Sequence, residues 1–211
     1  MRKENCSKDK AIFLSANMTT LTQIKDLRAR TGAGIVDVKK ALEEAEGDEK
    51  KAIDILRRGG HDKAAKKAGR EVHEGVIAAY VHSNKKIGAM VTLLCETDFV
   101  ARTEGFQTLA YDIAMHVAAT DPQFLRPEDV SEKLISEEKK IWKAQLVSGG
   151  KPDHIHEKIL SGKEKKFREE ISLTTQPFVK DPERTIADLL REKIATVGEN
   201  IHIGAFTRFE I

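Results

Sequence analysis

Glu96-Thr97-Asp98-Phe99-Val100-Ala101-Arg102-Thr103-Glu104-Gly105 is where two periodicities meet, and the fold is read from that meeting. Before it runs Ile87-Gly88-Ala89-Met90-Val91-Thr92-Leu93-Leu94-Cys95, an apolar run of the length of a buried strand. After it, apolar residues recur at Phe99, Phe106, Leu109, Ile113 and Val117, roughly the spacing of one helix face. Glu96 to Asp98 is therefore a corner where a strand turns into a helix. Asp98 suits the helix N-cap, because its carboxylate can accept from free amides of the first turn. Phe99 then falls in that first turn, and two roles stay open for it. It is a staple or core residue, the commoner fate of a Phe, or it forms with Asp98 a wedge that projects toward a partner.

On the N-terminal side, residues 76–81 and 87–95 flank the polar turn Ser83-Asn84-Lys85-Lys86 and read as a β-hairpin. Residues 61–71 carry Lys63, Lys66, Lys67 and Arg70, as either a nucleic-acid patch or a solvated linker helix. The linker is the preferred reading, since no aromatic residue interleaves the charges to stack on bases. Upstream, three short apolar stripes are separated by glycine breaks: Leu21, Ile24 and Leu27, then Ile35, Val38, Ala41 and Leu42, then Ala52, Ile53 and Leu56. Thr20 or Thr22 caps the first helix, Thr31-Gly32-Ala33-Gly34 ends it, Gly47-Asp48 ends the second and caps the third, and Gly59-Gly60 stops the third. A bundle this small holds little chemistry and suits docking. Residues 1–17 read as an extension, with Met18 as an alternative start.

On the C-terminal side, the central helix ends before Asp121-Pro122, and two heavily charged helices follow over 131–147 and 153–171. The turn Ser148-Gly149-Gly150-Lys151-Pro152 joins them into an antiparallel hairpin. Leu134, Ile135, Ile141, Trp142 and Leu146 are expected to face Ile155, Ile159, Phe167 and Ile171. His154 and His156 point apart on a helix and have no third ligand near them, so no metal site is expected. Asp181 is expected to cap a last helix with Pro182 in its first position, carrying Ile186, Leu189, Leu190 and Ile194 and ending near Val197. Beyond the corner Val197-Gly198-Glu199-Asn200, a strand places Ile201, Ile203, Ala205, Phe209 and Ile211 on one face.

The expected class is α+β: a three-helix bundle, then a small antiparallel sheet covered by two helices, with a helical hairpin inserted at about 131–172. The domains read as an extension 1–17, a docking module 18–58, a linker helix 59–74 and an α+β core 75–211. With 36 Lys and Arg against 34 Asp and Glu, the net charge of +2 argues against a general nucleic-acid binder. Cys6 and Cys95 are too few for a disulfide framework or a zinc quartet. No apolar run is long enough to cross a membrane, and residues 1–17 make a poor signal or transit peptide, so a cytoplasmic protein is expected. No phosphate loop, nucleophile elbow or Cys/His cluster occurs, so neither an enzyme nor a cofactor is expected.

Four places in the chain resemble the elongation factor Ts family. They are Leu27-Arg28-Ala29-Arg30-Thr31-Gly32-Ala33-Gly34 with Asp37-Val38-Lys39-Lys40-Ala41-Leu42, then Glu96 to Arg102, then Gln176-Pro177-Phe178-Val179, and then Gly198-Glu199-Asn200-Ile201 running into Arg208-Phe209-Glu210. The length is similar to the short form of that family, with one copy of the core subdomain. The resemblance implies a guanine-nucleotide exchange factor that binds elongation factor Tu, with a ubiquitin-associated-like N-terminal bundle docking on the partner's nucleotide-binding domain. It implies that Thr97, Asp98, Phe99 and Val100 disturb the partner's magnesium and nucleotide site, and that Val197 and Gly198 form a second contact. His82, in its pattern of strand, His, turn and Ile87-Gly88, matches a further contact made in the long form by the second core copy. In a short form that contact comes from a second subunit, so a homodimer is expected. Ile35-Val36, where methionines are common, and Gly204-Ala205, where an arginine pair is frequent, depart from the pattern. The rival from another class is a ribosome- or RNA-associated protein acting through Lys63 to Arg70.

Overall fold

Val91 and Leu93, alternate residues of the apolar run, are 1% and 0% exposed, while Met90 between their neighbours is 44% exposed. One face of the run is core and the other is not, as the two-residue period of a strand requires. In the computed structural model, which describes residues 21–149 and 152–211, the chain divides into two compact units: residues up to Arg70 with Arg191–Asn200, and Glu71–Leu190 with Ile201–Ile211. The expected extension at 1–17, the start at Met18 and a cap at Thr20 lie outside the described residues.

The first unit holds α1 (Leu21–Thr31), α2 (Ile35–Glu44) and α3 (Glu49–Ala65). Ile24, Leu27, Val38, Ala41, Leu42, Ala45 and Ala52 form its core. Gly32, at φ 65°, turns the chain out of α1 in the left-handed conformation that a side chain would resist. Asp48 caps α3 by accepting from the amides of Lys50 and Lys51 at 2.9 and 3.1 Å. Ile35, expected in the inner stripe, is instead 54% exposed: it is the first residue of α2, about one turn before the buried Val38. Gly59-Gly60 does not stop α3 either. Two glycines cost a helix about 2 kcal/mol relative to alanine, and the helix formers on both sides carry it through to Ala65.

The second unit is built on a sheet of β1 (Glu74–Val81), β2 (Ile87–Cys95) and β5 (Ile201–Glu210), antiparallel and in the order β1-β2-β5. After β2 come the one-turn α4 (Asp98–Ala101) and α5 (Glu104–Thr120), which packs across the sheet with Phe106, Ile113 and Val117 fully buried. The charged hairpin is α6 (Glu132–Ser148) and α7 (His156–Glu170), joined through Trp142 and Phe167, whose rings meet edge to face at 5.6 Å. Ile135, Trp142 and Leu146 are the buried positions of α6, and Ile141, expected among them, is 52% exposed. Arg168 anchors the hairpin's root by donating to the main-chain oxygens of Pro127 and Val130 and to Glu132 and Glu164. Lys139, whose Nζ meets Glu164 Oε2 at 2.6 Å, and Arg168 hold the Glu164 carboxyl below its ordinary range, and Glu132 with Glu164 holds the Arg168 guanidinium above its own.

Two expectations are corrected near the C-terminus. Residues Asp181–Thr185 form a strand, β4, paired with β3 (Pro177–Phe178), and the last helix, α8 (Ile186–Val197), starts after them. Thr185 and Asp188 close a reciprocal cap: Asp188 Oδ2 accepts from Thr185 N at 3.1 Å, and Asp188 N donates to Thr185 Oγ1 at 3.2 Å. That satisfies two end amides, which Pro182 in the first turn would not. The expected second helical cover, α8, crosses the division between the two units at Leu190 and Arg191. In β5, Ile201 and Ile203 are buried, but the alternation then changes phase. Gly204 and Ala205 oppose the single residue Thr92, a β-bulge. Thr92 Oγ1 fills the gap, accepting from Ala205 N at 2.7 Å. Beyond the bulge, Phe209 is 66% exposed and Ile211 97% exposed, while Arg208 turns toward α5.

Candidate partner-binding site

Phe99 is 80% exposed, although the residues on its C-terminal side, Val100 and Ala101, are 8% and 5% exposed. Phe99 is therefore not a core residue. The corner that carries it is held from below. Cys95, fully buried at the end of β2, donates its Sγ–H to the main-chain oxygen of Thr97 at 3.2 Å. Thr97, not Asp98, is the N-cap residue, with extended backbone and no side-chain cap bond of its own. Asp98 is the first helical residue, and its carboxylate meets Arg102 Nη2 at 3.0 Å across one turn.

The single helix expected from Phe99 to Thr120 is broken. Thr103 Oγ1 donates to Val100 O at 2.8 Å, closing α4, and Thr103 then serves as the N-cap residue of α5. The break re-aims the chain, so that Val100 and Phe106 turn inward while Phe99 stands out. The result is a rigid aromatic beside a carboxylate, on a one-turn platform pinned by buried residues. No pair of nucleophile and base accompanies them, and among the described residues no group of three or more His, Cys, Asp or Glu side chains is placed to hold a metal.

The other sequence-derived positions lie elsewhere. His82 follows β1 directly and is exposed. Val197 is half-buried at the end of α8, and Gly198, at φ 85°, is the left-handed residue after it. Lys67 donates its Nζ to the oxygen of Gly198, and Asn200 Nδ2 donates to Arg70 O at 2.7 Å, all within the first unit. Lys63 pairs with Asp37 at 2.6 Å. Lys63 and Lys67 of the basic segment are thus engaged within their own unit.

A cluster that sequence reasoning missed lies behind the Gln176-Pro177-Phe178-Val179 motif. His116 is fully buried on α5 and Gln176 is 8% exposed. The amide of Val179 donates to His116 Nδ1 at 3.4 Å, which leaves the proton on Nε2 to donate to Gln176 Oε1 at 3.1 Å. Burial lowers the His116 pKa, and the bond to Gln176 opposes that shift. The pairing spans 60 residues, and the two residue types offered no local signal for it.

A family model described as Elongation factor TS matches residues 62–211. The chain is 54% identical over 194 residues to a protein named Elongation factor Ts from Thermosipho melanesiensis, covering 92% of this chain and 99% of that one. It is 52% identical over 192 residues to the protein of the same name from Thermodesulfovibrio yellowstonii, covering 91% and 96%. With the Carboxydothermus hydrogenoformans protein of that name it shares 52% identity over 194 residues, covering 92% and 89%.

Proposed function

Since the chain belongs to the elongation factor Ts family and serves translation elongation as a nucleotide exchange factor, we propose that it presses its Asp98–Phe99 corner into the magnesium and nucleotide site of elongation factor Tu and so promotes release of GDP. The observation that carries this reading is the exposure of Phe99, 80%, on a platform whose next two residues are core. Leaving a Phe in water forgoes about 1.5–3 kcal/mol of burial, which becomes available when a partner covers it. Exchange makes no bond and needs no catalytic set. A protein that binds the nucleotide-free partner better than the nucleotide-bound one weakens nucleotide binding by the same factor. A braced ring can part helices, and a carboxylate beside a magnesium-bound phosphate disturbs the ion's coordination. In this division of roles Asp98 and Phe99 make the contact, Thr97 offers backbone at the corner, and Val100 anchors the platform. Val197 and Gly198 form a second contact, His82 a third, and the three-helix bundle docks on the nucleotide-binding domain. The work takes place in the cytoplasm, and no nucleic acid is bound directly.

The active form is a homodimer. Residues paired across the sheet share a face, and the face turned away from α5 carries Ile77, Val81, Met90 and Phe209, which are 68%, 58%, 44% and 66% exposed. A second copy covering that apolar face would supply the other half of the partner contacts. The test of the exchange function is release of labelled GDP from elongation factor Tu. Acceleration by the whole chain, lost in Phe99→Ala, supports it, and release at the intrinsic rate in the presence of excess chain rejects it.

A further inference from the structure

Resting on the reading of His82 as a partner contact, we propose that Tyr80 is its positioning residue, holding the imidazole so that Nε2–H points outward as a donor to a carbonyl or carboxylate oxygen of the partner. The backbone of His82 is fixed on both sides. Its amide donates to Ile87 O at 2.8 Å, and its carbonyl accepts from Lys85 N at 2.9 Å. The ring is fixed by Tyr80, two residues back on the same strand face, whose hydroxyl lies 3.0 Å from His82 Nδ1. Tyr80 is held in turn by Tyr111 on α5, edge to face at 5.7 Å. The chain of support runs from the packed helix to the exposed imidazole.

The direction of the Tyr80–His82 bond follows from the chemistry of the two groups. A phenol shares its oxygen lone pair with its ring, so it donates better than it accepts, and an imine nitrogen is a strong acceptor. The hydroxyl therefore donates to Nδ1, and a neutral imidazole so engaged carries its proton on Nε2. Among the described residues, Nε2 has no partner within the chain. An unsupported histidine would lose rotamer and tautomer freedom on binding, and the Tyr80 hydroxyl has removed much of both beforehand.

The test uses the full chain. Nitrogen-15 spectra of the His82 ring at alkaline pH are expected to show a protonated Nε2 and an unprotonated Nδ1, and Tyr80→Phe, which keeps the ring against Tyr111, is expected to mix the two tautomers. In GDP-release titrations, Tyr80→Phe raises the concentration for half-maximal rate about threefold to tenfold, the effect of one neutral hydrogen bond, and leaves the maximal rate in place. His82→Gln sets an amide N–H near the position of Nε2 without needing Tyr80, so Tyr80→Phe adds nothing in that background. A protonated Nδ1 in the unaltered chain, or an equal effect of Tyr80→Phe with Gln at 82, overturns the role of Tyr80. The correct tautomer together with unchanged half-maximal concentration in His82→Ala overturns the contact itself.

Discussion

His116 Nε2 donates to Gln176 Oε1 at 3.1 Å, and both side chains are closed off from solvent. Because the His116 pKa is lowered from its ordinary 6.5 by burial, the unfolded chain binds a proton that the folded chain refuses as pH falls below that value. The stability this confers is present above about pH 6.5 and is lost as pH falls. Thermal melting is expected to drop as the pH falls below about 6.5. In His116→Asn the chain melts lower at pH 8, but the slope on the acid side is reduced. It is not abolished, since burial and the charge of Arg126 also lower the His202 pKa. An unchanged slope would refute the assignment.

Gly204 is expected to resist substitution, although it lies on the open face of the sheet. A Cβ there would stand 2.7 Å from Thr92 Oγ1, which is tied to Ala205 and cannot swing aside. Gly204→Ala should cost about 1–3 kcal/mol in denaturant unfolding, the range for an overpacked site. A change under about 0.5 kcal/mol, ordinary for a surface position, would show that the bulge gives way freely.

These positions also mark what sequence makes legible. The β2-to-α4 corner, the 76–95 hairpin and the Asp48 cap were readable because each rests on neighbours in the chain. The bulge at Thr92 was not, because alternation along β5 continues through it and only the partner strand reveals the phase change. The break at Arg102-Thr103 hid inside an apolar spacing that fits one helix as well as two. The start of α8 was open to a better reading, since Thr185-x-x-Asp188 is itself a capping signal, of the kind that outranks a proline in the first turn. At the site, residue type alone favoured a buried Phe99, and it took the inward turn of Val100 to place Phe99 outside.

The first unit is expected to serve affinity. A chain beginning at Glu71, past the end of α3, should bind elongation factor Tu more weakly and still accelerate GDP release at high concentration. Loss of all acceleration at saturation would contradict that division of labour.

Sedimentation equilibrium across a concentration series should give a mass twice the 23.5 kDa of one chain. Met90→Glu places a charge at the centre of the open sheet face, where burial against a second copy would be costly, and is expected to shift the population to single chains. A fully active unaltered chain of 23.5 kDa at every concentration would rule the homodimer out.

The central claim is that Phe99 is exposed in order to act on a partner. Thermal melting and GDP release measured together on Phe99→Ala test it most directly. A side chain 80% exposed contributes little to the fold, so melting should stay within about 0.5 kcal/mol of the unaltered chain, while most of the acceleration of GDP release disappears. A collapse in stability of about 3–5 kcal/mol, as for a buried Phe, or exchange at the unaltered rate, would contradict the account.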